Sequence, residues 1–434
     1  MLLPLLSLFP LALVASATSG TSHSNRHASH RRSLLPSIKT SDGTTWVGRT
    51  ALGVDTFRGI PFAKPPVGEL RFAPPQPPNG SFGTFDAGLD GLSCPEMFQP
   101  EILSEKVLAK VTAFNEKQTS ENPVLNHTAA ASASEDCLTL NVFRPAGLNS
   151  TAGLPVMYWI FPGGFFFGGA AVYDMTAMVQ RSVAIGQPTI FVAGNHRTNS
   201  FGFLPGKEVA ADPTASVNAG LMDQRLGLEW VSQYITPFGG DPSKVTIFGQ
   251  SSGAISVGFQ LEAYNGNITS INTGLPLFRG AIMQSGSPIP VDVTSRGQNS
   301  FDVIAKATGC YNVSEPIACL RKVPYDDLFR ATKSFPRLSE SVKQRLRMRF
   351  ETGGLLSPTL CNPTFQENTS IGRRVSFPAM LGVNVAPAHL HFFSKDGANK
   401  TLLQFTDGAT SIIPDTYREA AISYLVNNIG TLAL

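Results

Sequence analysis

The strongest chemical signal in the sequence is a serine between two glycines, Gly249-Gln250-Ser251-Ser252-Gly253, directly after the apolar run 245–248. At a sharp turn from a strand into a helix, such a serine presents its hydroxyl as a nucleophile. The flanking glycines are needed there because a Cβ would collide with neighbouring backbone. The helix that begins at this turn directs the backbone N–H of Ser252 towards the reacting carbonyl. The pattern predicts acyl transfer through Ser251, with a plain Gly-Ser loop as the alternative.

A second glycine motif, Pro162-Gly163-Gly164, follows the apolar run 156–161. Paired glycines allow backbone N–H groups to approach the negative charge that develops on a substrate oxygen. Each such donor typically contributes about 3 kcal/mol to transition-state stabilisation. Because proline has no N–H, Gly163 and Gly164 are the expected donors in this loop. A simple glycine-rich turn is the other interpretation.

These two loops require a sheet that brings their ends together. Short, nearly continuous apolar runs are typical of strands buried on both faces of a sheet. They occur at residues 156–161, 189–193, 245–248, 280–283 and 379–383. Helical patterns such as 221–234 lie between them, so the sequence predicts an α/β fold with a mostly parallel central sheet and helices on both faces.

The charge balance argues against a nucleic-acid-binding protein. The 434 residues include 34 Lys and Arg and 31 Asp and Glu. Three of the arginines, Arg26, Arg31 and Arg32, lie in the N-terminal 32 residues, which contain no Asp or Glu. The rest of the chain therefore has 31 basic and 31 acidic residues and is neutral. A nucleic-acid interface needs a basic face or stripe, and the pattern contains none.

The N-terminal sequence predicts export to the extracellular space. The sequence predicts a signal peptide at residues 1–17, cleaved after Ala17. Residues 18–39 are predicted to be a pro-segment or flexible leader, and residues 40–434 a single domain. No other segment has the apolar length of a membrane span. Glycosylation motifs fit this interpretation, and they begin at Asn79, Asn126, Asn149, Asn267, Asn312, Asn368 and Asn399. The five cysteines include no CxxC pair with matching histidines, so we expect disulfides and no metal site.

Several stretches resemble signatures of the type-B carboxylesterases, the cholinesterase-like branch of the α/β-hydrolases that includes fungal secreted lipases. In order, they are FRGIPFAKPPVGELRF (57–72), SEDCLTLNV (134–142), NAGLMDQR (218–225), FGGDP (238–242) and AIMQSGS (281–287). The resemblance covers about residues 40–385. It implies an α/β-hydrolase fold and an ester hydrolase without metal or organic cofactor. In that enzyme Ser251 would be the nucleophile, and Gly163, Gly164 and Ser252 would be the oxyanion donors.

The same resemblance implies a covalent and ionic frame. Cys94 would pair with Cys137 and Cys310 with Cys319, which leaves Cys361 free. Arg71 and Glu135 would form a bidentate ion pair. The serine motif departs modestly from the family, with Gln250 where the family usually has Glu and Ser252 where it usually has Ala.

The partners of the serine depart further from the family. Pro387 stands about where the family has its catalytic Glu, and the family histidine belongs to a C-terminal segment that the 434 residues do not contain. We therefore expect a C-terminally incomplete hydrolase domain whose turnover is far below that of full-length relatives. His389 and His391 are candidate substitutes for the missing base, with solvent-exposed loop histidines as the other interpretation.

The expected substrate is a small-molecule or lipid ester with an apolar acyl group. Phenylalanines beside the glycine loop would line an acyl pocket or belong to the core: Phe161, Phe165, Phe166 and Phe167. Residues 103–114 contain one apolar helical face. The resemblance to lipases of the family implies a lid there, which would contact a lipid interface transiently, and a helix docked on the core would show the same pattern. The alternatives to an esterase or lipase are a non-catalytic cholinesterase-like binding or adhesion protein and an inactive truncated product. Acyl-chain preference and oligomeric state stay open.

Overall fold

The structure is a computed structural model that describes residues 35–97, 133–287 and 297–334, together with the backbone of two strands at 379–385 and 388–394. The predicted signal peptide, the helical face within residues 103–114 and Cys361 lie outside the described residues. The first strand begins at Ser37, inside the range that we expected to be a leader. The division into leader and single domain stays a prediction.

Two sheets are present in the described part of the chain. The small sheet has the order β1-β2-β5, and the large one has the order β12-β11-β10-β9-β7-β8-β6-β4-β3. The strands are β1 (Ser37–Lys39), β2 (Thr45–Val47), β3 (Arg49–Ala51), β4 (Val54–Pro61), β5 (Thr84–Asp86), β6 (Thr139–Pro145), β7 (Leu154–Ile160), β8 (Ile190–Gly194), β9 (Gly240–Gln250), β10 (Gly280–Gln284), β11 (Ala379–Val385) and β12 (Ala388–Ser394).

The centre of the large sheet is parallel. Strands β11, β10, β9, β7 and β8 run in one direction, and they are the five strands that the apolar runs predict. The flanking strands β12, β6, β4 and β3 each pair antiparallel with their neighbours. Strands β7 and β10 flank β9 and run parallel to it. The loops that follow β7, β9 and β10 therefore leave the same edge of the sheet.

Helices connect these strands and cover the sheet. They are α1 (Thr176–Ala184), α2 (Asn199–Phe203), α3 (Lys207–Ala211), α4 (Ala219–Tyr234), α5 (Ser252–Gly266), α6 (Gln298–Ala307), α7 (Pro316–Lys322) and α8 (Tyr325–Lys333). The helix predicted at 221–234 is α4, which begins two residues earlier. No helix in the described ranges is long and apolar enough to cross a membrane.

Alternate side chains of β7 show that both faces of the sheet are buried. Tyr158 and Ile160 belong to a cluster that includes Val231 of α4 and Val257 of α5. Trp159, between them, belongs to the opposite cluster, which contains residues of α1. This alternation is the expected result of a strand whose successive side chains point to opposite faces. The central sheet with helices on both faces is therefore confirmed.

Two disulfides and a buried ion pair tie the described segments together. Cys94 is bonded to Cys137 and Cys310 to Cys319. The guanidinium of Arg71 donates to both carboxylate oxygens of Glu135, from Nε at 2.6 Å and from Nη2 at 2.7 Å. Its Nη1 also donates to the backbone carbonyl oxygens of Leu320 and Val323, at 2.9 and 2.6 Å. One side chain thus joins the segment before β6 to the end of α7.

Candidate active site

Ser251 lies at the turn from β9 into α5, with φ 53° and ψ −121°. Its backbone N–H donates to the carbonyl oxygen of Gln284 at the end of β10, and its own carbonyl accepts from Ile255 in the first turn of α5. A non-glycine residue with positive φ is strained by about 1–3 kcal/mol, and such strain is typical of functional turns. The geometry matches a nucleophile elbow, and it excludes a plain Gly-Ser loop because β9 and α5 meet at this residue.

The glycines around Ser251 are required by close backbone packing. A Cβ on Gly253 would overlap the carbonyl oxygen of Ile160 and lie 2.8 Å from the carbonyl oxygen of Phe161. A Cβ on Gly249 would lie 2.5 Å from the carbonyl of Gly253. The elbow is therefore pressed against the end of β7, where the glycine loop begins.

We expect Gly253→Ala to destabilise the protein by about 2 kcal/mol or more, because the methyl group would meet rigid backbone of β7. Alanine is the better helix former by about 1 kcal/mol, but that gain is smaller than the cost of the overlap. Urea unfolding measures the difference. The matched control is Gly280→Ala, whose Cβ would have side-chain atoms of Thr246 as its nearest neighbours, at 3.0 Å or more. Equal unfolding midpoints for the two variants would contradict the packing explanation.

The glycine loop after β7 has three consecutive residues with positive φ. The values are 126° for Gly163, 62° for Gly164 and 66° for Phe165. A Cβ on Gly163 would overlap the carbonyl oxygen of Phe167, and the N–H of Phe166 donates to the carbonyl oxygen of Gly163 at 2.9 Å. This is a tight turn that closes on the carbonyl oxygen of Gly163. It leaves the same sheet edge as Ser251, since Ile160 of β7 pairs with Gly249 of β9.

The phenylalanines beside this loop divide into two groups. Phe161 and Phe165 are 2% and 6% exposed, and they belong to two separate core clusters. Phe166 and Phe167 are half-buried. The core interpretation therefore holds for the first pair, and only the second pair could line an acyl pocket.

His196 is the one histidine whose side chain the structure describes. Its ring stacks on Phe161 with the centroids 4.1 Å apart, and it is 2% exposed. Burial lowers the pKa of His196 to about 3, so the ring is neutral at physiological pH. In this position it packs against the residue that leads into the glycine loop.

His389 and His391 lie in β12, so the interpretation of them as loop histidines is wrong. Their backbone pairs with Asn384 and Gly382 of β11. Strand β12 is the edge strand, separated from β9 by β11 and β10. Three strand spacings amount to about 14 Å, which does not bring these histidines together with Ser251.

One buried acid in α5 was not found by sequence reasoning. Glu262 is 8% exposed, and its Oε1 has no hydrogen-bond partner. Burial raises the pKa of Glu262 to about 7. The sequence signal was weak because a glutamate near the end of a helix is ordinarily solvated.

Because the folded state binds the Glu262 proton more tightly than the unfolded state, the contribution of Glu262 to stability should be greatest below pH 4.5 and be lost as the pH rises through about 7. We expect Glu262→Gln to remove this dependence and to raise the free energy of unfolding at pH 8 by at most about 3 kcal/mol. Urea unfolding at pH 5 and pH 8 provides the test. Exposed Glu69→Gln is the control, and a Glu262→Gln variant with the same pH dependence as wild type would refute the assignment.

The sequence and the fold both identify relatives. The carboxylesterase family profile matches residues 40–420. The chain belongs to the carboxylesterase family. It is 45% identical over 310 residues to "Secreted lipase 1" of Botryotinia fuckeliana, covering 71% of this chain and 52% of that protein. It is 42% identical over 314 residues to a secreted triacylglycerol lipase of Gibberella zeae, covering 72% of this chain and 51% of that one.

Among solved structures, the crystal structure of Aspergillus niger EstA superimposes with a TM-score of 0.56 at 32% identity. The match covers 69% of this chain and 50% of EstA. The expected α/β-hydrolase fold is thereby confirmed. The chain spans about half the length of the curated relatives it matches.

Proposed function

We propose that the protein hydrolyses carboxylic esters through an acyl-enzyme on Ser251. The observation that carries this proposal is the strained Ser251 at the junction of β9 and α5, beside a glycine turn on the same sheet edge. Family membership and relatives named as lipases support the reaction class. The sequence expectation of an esterase or lipase is kept, and the binding-protein alternative is not favoured.

In the proposed reaction, Ser251 Oγ attacks the carbonyl carbon of the ester while its proton passes to a general base, which then delivers it to the departing alcohol. The N–H groups of Gly163, Gly164 and Ser252 donate to the resulting oxyanion, which stabilises the tetrahedral intermediate. The alcohol leaves with a proton, and water then hydrolyses the acyl-enzyme. No step uses a metal or an organic cofactor.

The proposed substrate is an ester with an apolar acyl group, up to a lipid ester. Two observations support it: the names of the relatives, and the half-buried rings of Phe166 and Phe167 within the glycine turn.

Covalent labelling tests the proposal. A p-nitrophenyl alkylphosphonate forms a bond from phosphorus to a nucleophilic serine and releases p-nitrophenolate, so labelling reports the nucleophile without requiring hydrolysis of an acyl-enzyme. We expect one adduct per protein chain, on the peptide containing Ser251, and none in Ser251→Ala. An unlabelled wild-type protein would favour the non-catalytic binding alternative.

We also propose that the protein is secreted and N-glycosylated. The four sequon asparagines in the described ranges are all exposed in loops: Asn79, Asn149, Asn267 and Asn312. Relatives named as secreted lipases support export. Expression in a fungal host should place the protein in the medium, and enzymatic deglycosylation should lower its apparent mass. Asn79→Gln should remove one glycan, and protein confined to the cells without glycan would disprove this proposal.

A further inference from the structure

The glycine loop after β7 is held by two other segments of the chain. The first is residues 93–97, next to the Cys94–Cys137 disulfide. From it the N–H of Met97 donates to the carbonyl oxygen of Phe166 at 2.8 Å, and the carboxylate of Glu96 accepts from the N–H of Gly168. The second is residues 195–199, after β8. There the side-chain oxygen of Asn195 accepts from the N–H of Ala170 at 2.8 Å.

Asn199 is where these three segments meet. Its backbone N–H donates to the carbonyl oxygen of Phe165 at 2.7 Å. Its side-chain Nδ2 donates to the carbonyl oxygen of Pro95 at 2.6 Å and is 3.4 Å from that of Phe166. Its Oδ1 accepts from the N–H of Phe201 at 3.3 Å. The residue is 2% exposed, so these bonds form where water does not compete.

The backbone conformation of Asn199 restricts which residue can stand there. Its φ is 45°, in the left-handed region that asparagine tolerates better than most residues. Glycine would accept this φ but lacks the amide. Aspartate keeps the shape of asparagine, but its carboxylate cannot donate to two carbonyl oxygens and would face them with negative charge. Asparagine alone combines the tolerated φ with a donor of this reach.

The carbonyl groups that Asn199 binds determine where the loop N–H groups point. Phe165 directly follows Gly164, and the Phe166 N–H closes the turn onto the Gly163 carbonyl. Fixing the peptide planes of Phe165 and Phe166 therefore fixes the orientation of the turn that contains Gly163 and Gly164. An oxyanion donor acts only if it already points to where the charge develops.

We propose that Asn199 is a positioning residue for the oxyanion loop, which it aligns through the carbonyl groups of Phe165 and Phe166. This role rests on the proposed ester hydrolysis. Asn199 touches the loop rather than the substrate. Its loss should therefore weaken transition-state stabilisation more than substrate binding.

The test compares Asn199→Asp and Asn199→Gly with wild type. Both variants keep the backbone bond to the Phe165 carbonyl and lose the side-chain bonds to Pro95 and Phe166, so the test measures the side-chain contribution. We expect Asn199→Asp to lower kcat for a p-nitrophenyl ester by about 10- to 100-fold, with KM changed less than about threefold. The affinity for an alkyl trifluoromethyl ketone, whose serine adduct carries an oxyanion, should fall by the same factor as kcat. Asn199→Gly should show a smaller loss in the same direction. Asn265→Asp is the control, because Asn265 also has positive φ, 59°, but is exposed at the end of α5.

Each outcome either supports or overturns the positioning role of Asn199. If Asn199 only stabilises the fold, activity and ketone binding per folded molecule will equal those of wild type, and the proposal is overturned. Unfolding of both variants would overturn it as well, because Asn199 would then support the whole domain and not the loop. A wild-type protein that neither hydrolyses the ester nor binds the ketone would instead remove the proposed function on which this inference rests.

Discussion

In a chain whose C-terminal segment supplies the activating histidine, replacing Ser251 by alanine is expected to lower the rate of ester hydrolysis by about 10⁴-fold or more, because a nucleophile of this kind has no substitute in the site. The variant keeps the small side chain that the turn accepts, so the fold should persist. Initial rates on p-nitrophenyl butyrate measure the loss. The residual rate would come from the oxyanion donors and binding alone.

The control for this variant is Ser150→Ala, since Ser150 is an exposed serine in the loop after β6. It should hydrolyse the ester at the wild-type rate. Circular dichroism and unfolding curves should be the same for both variants and wild type. If Ser251→Ala kept a tenth of the activity, a different nucleophile would have to carry the reaction, and the role of the elbow would be purely structural.

The second large effect concerns stability and the ion pair of Arg71. Removal of one partner of a buried pair strands the other charge, which commonly costs about 3–5 kcal/mol. Arg71 and Glu135 are 5% and 8% exposed, and Arg71 also satisfies the carbonyl oxygens of Leu320 and Val323. We therefore expect Arg71→Ala to lower the free energy of unfolding by at least about 3 kcal/mol, measured by urea unfolding.

Arg49→Ala is the matched control, because the Arg49 and Asp86 side chains are 39% and 65% exposed. An exposed pair usually contributes less than about 1 kcal/mol. Should Arg71→Ala be too unstable to purify, Glu135→Gln retains the shape of the site and removes only the charge. If both Arg71→Ala and Glu135→Gln unfolded at the same urea concentration as Arg49→Ala, the buried pair would contribute nothing beyond a surface ion pair.

The sequence alone was sufficient for the centre of the fold and for the strand-to-helix turn at Ser251. Strands buried on both faces need continuous apolar residues, so β7 to β11 could be predicted from composition along the chain. The glycines at positions 249 and 253 are required by contacts within a few residues of the turn and with the neighbouring strand, which makes the elbow a local pattern. The Cys94–Cys137 and Arg71–Glu135 pairs were expected only through the resemblance to carboxylesterases.

Other features depend on residues that are distant in sequence, and the tertiary structure alone decided them. Strand β4 contains Asp55, which looks like a surface residue until Arg144 of the antiparallel strand β6 pairs with it at 3.1 Å. Asn199 resembles any loop asparagine until Pro95 and Phe166 are placed around it. In each case a polar side chain is buried because a partner about 30 to 100 residues away satisfies it, and periodicity along the chain carries no information about such a partner.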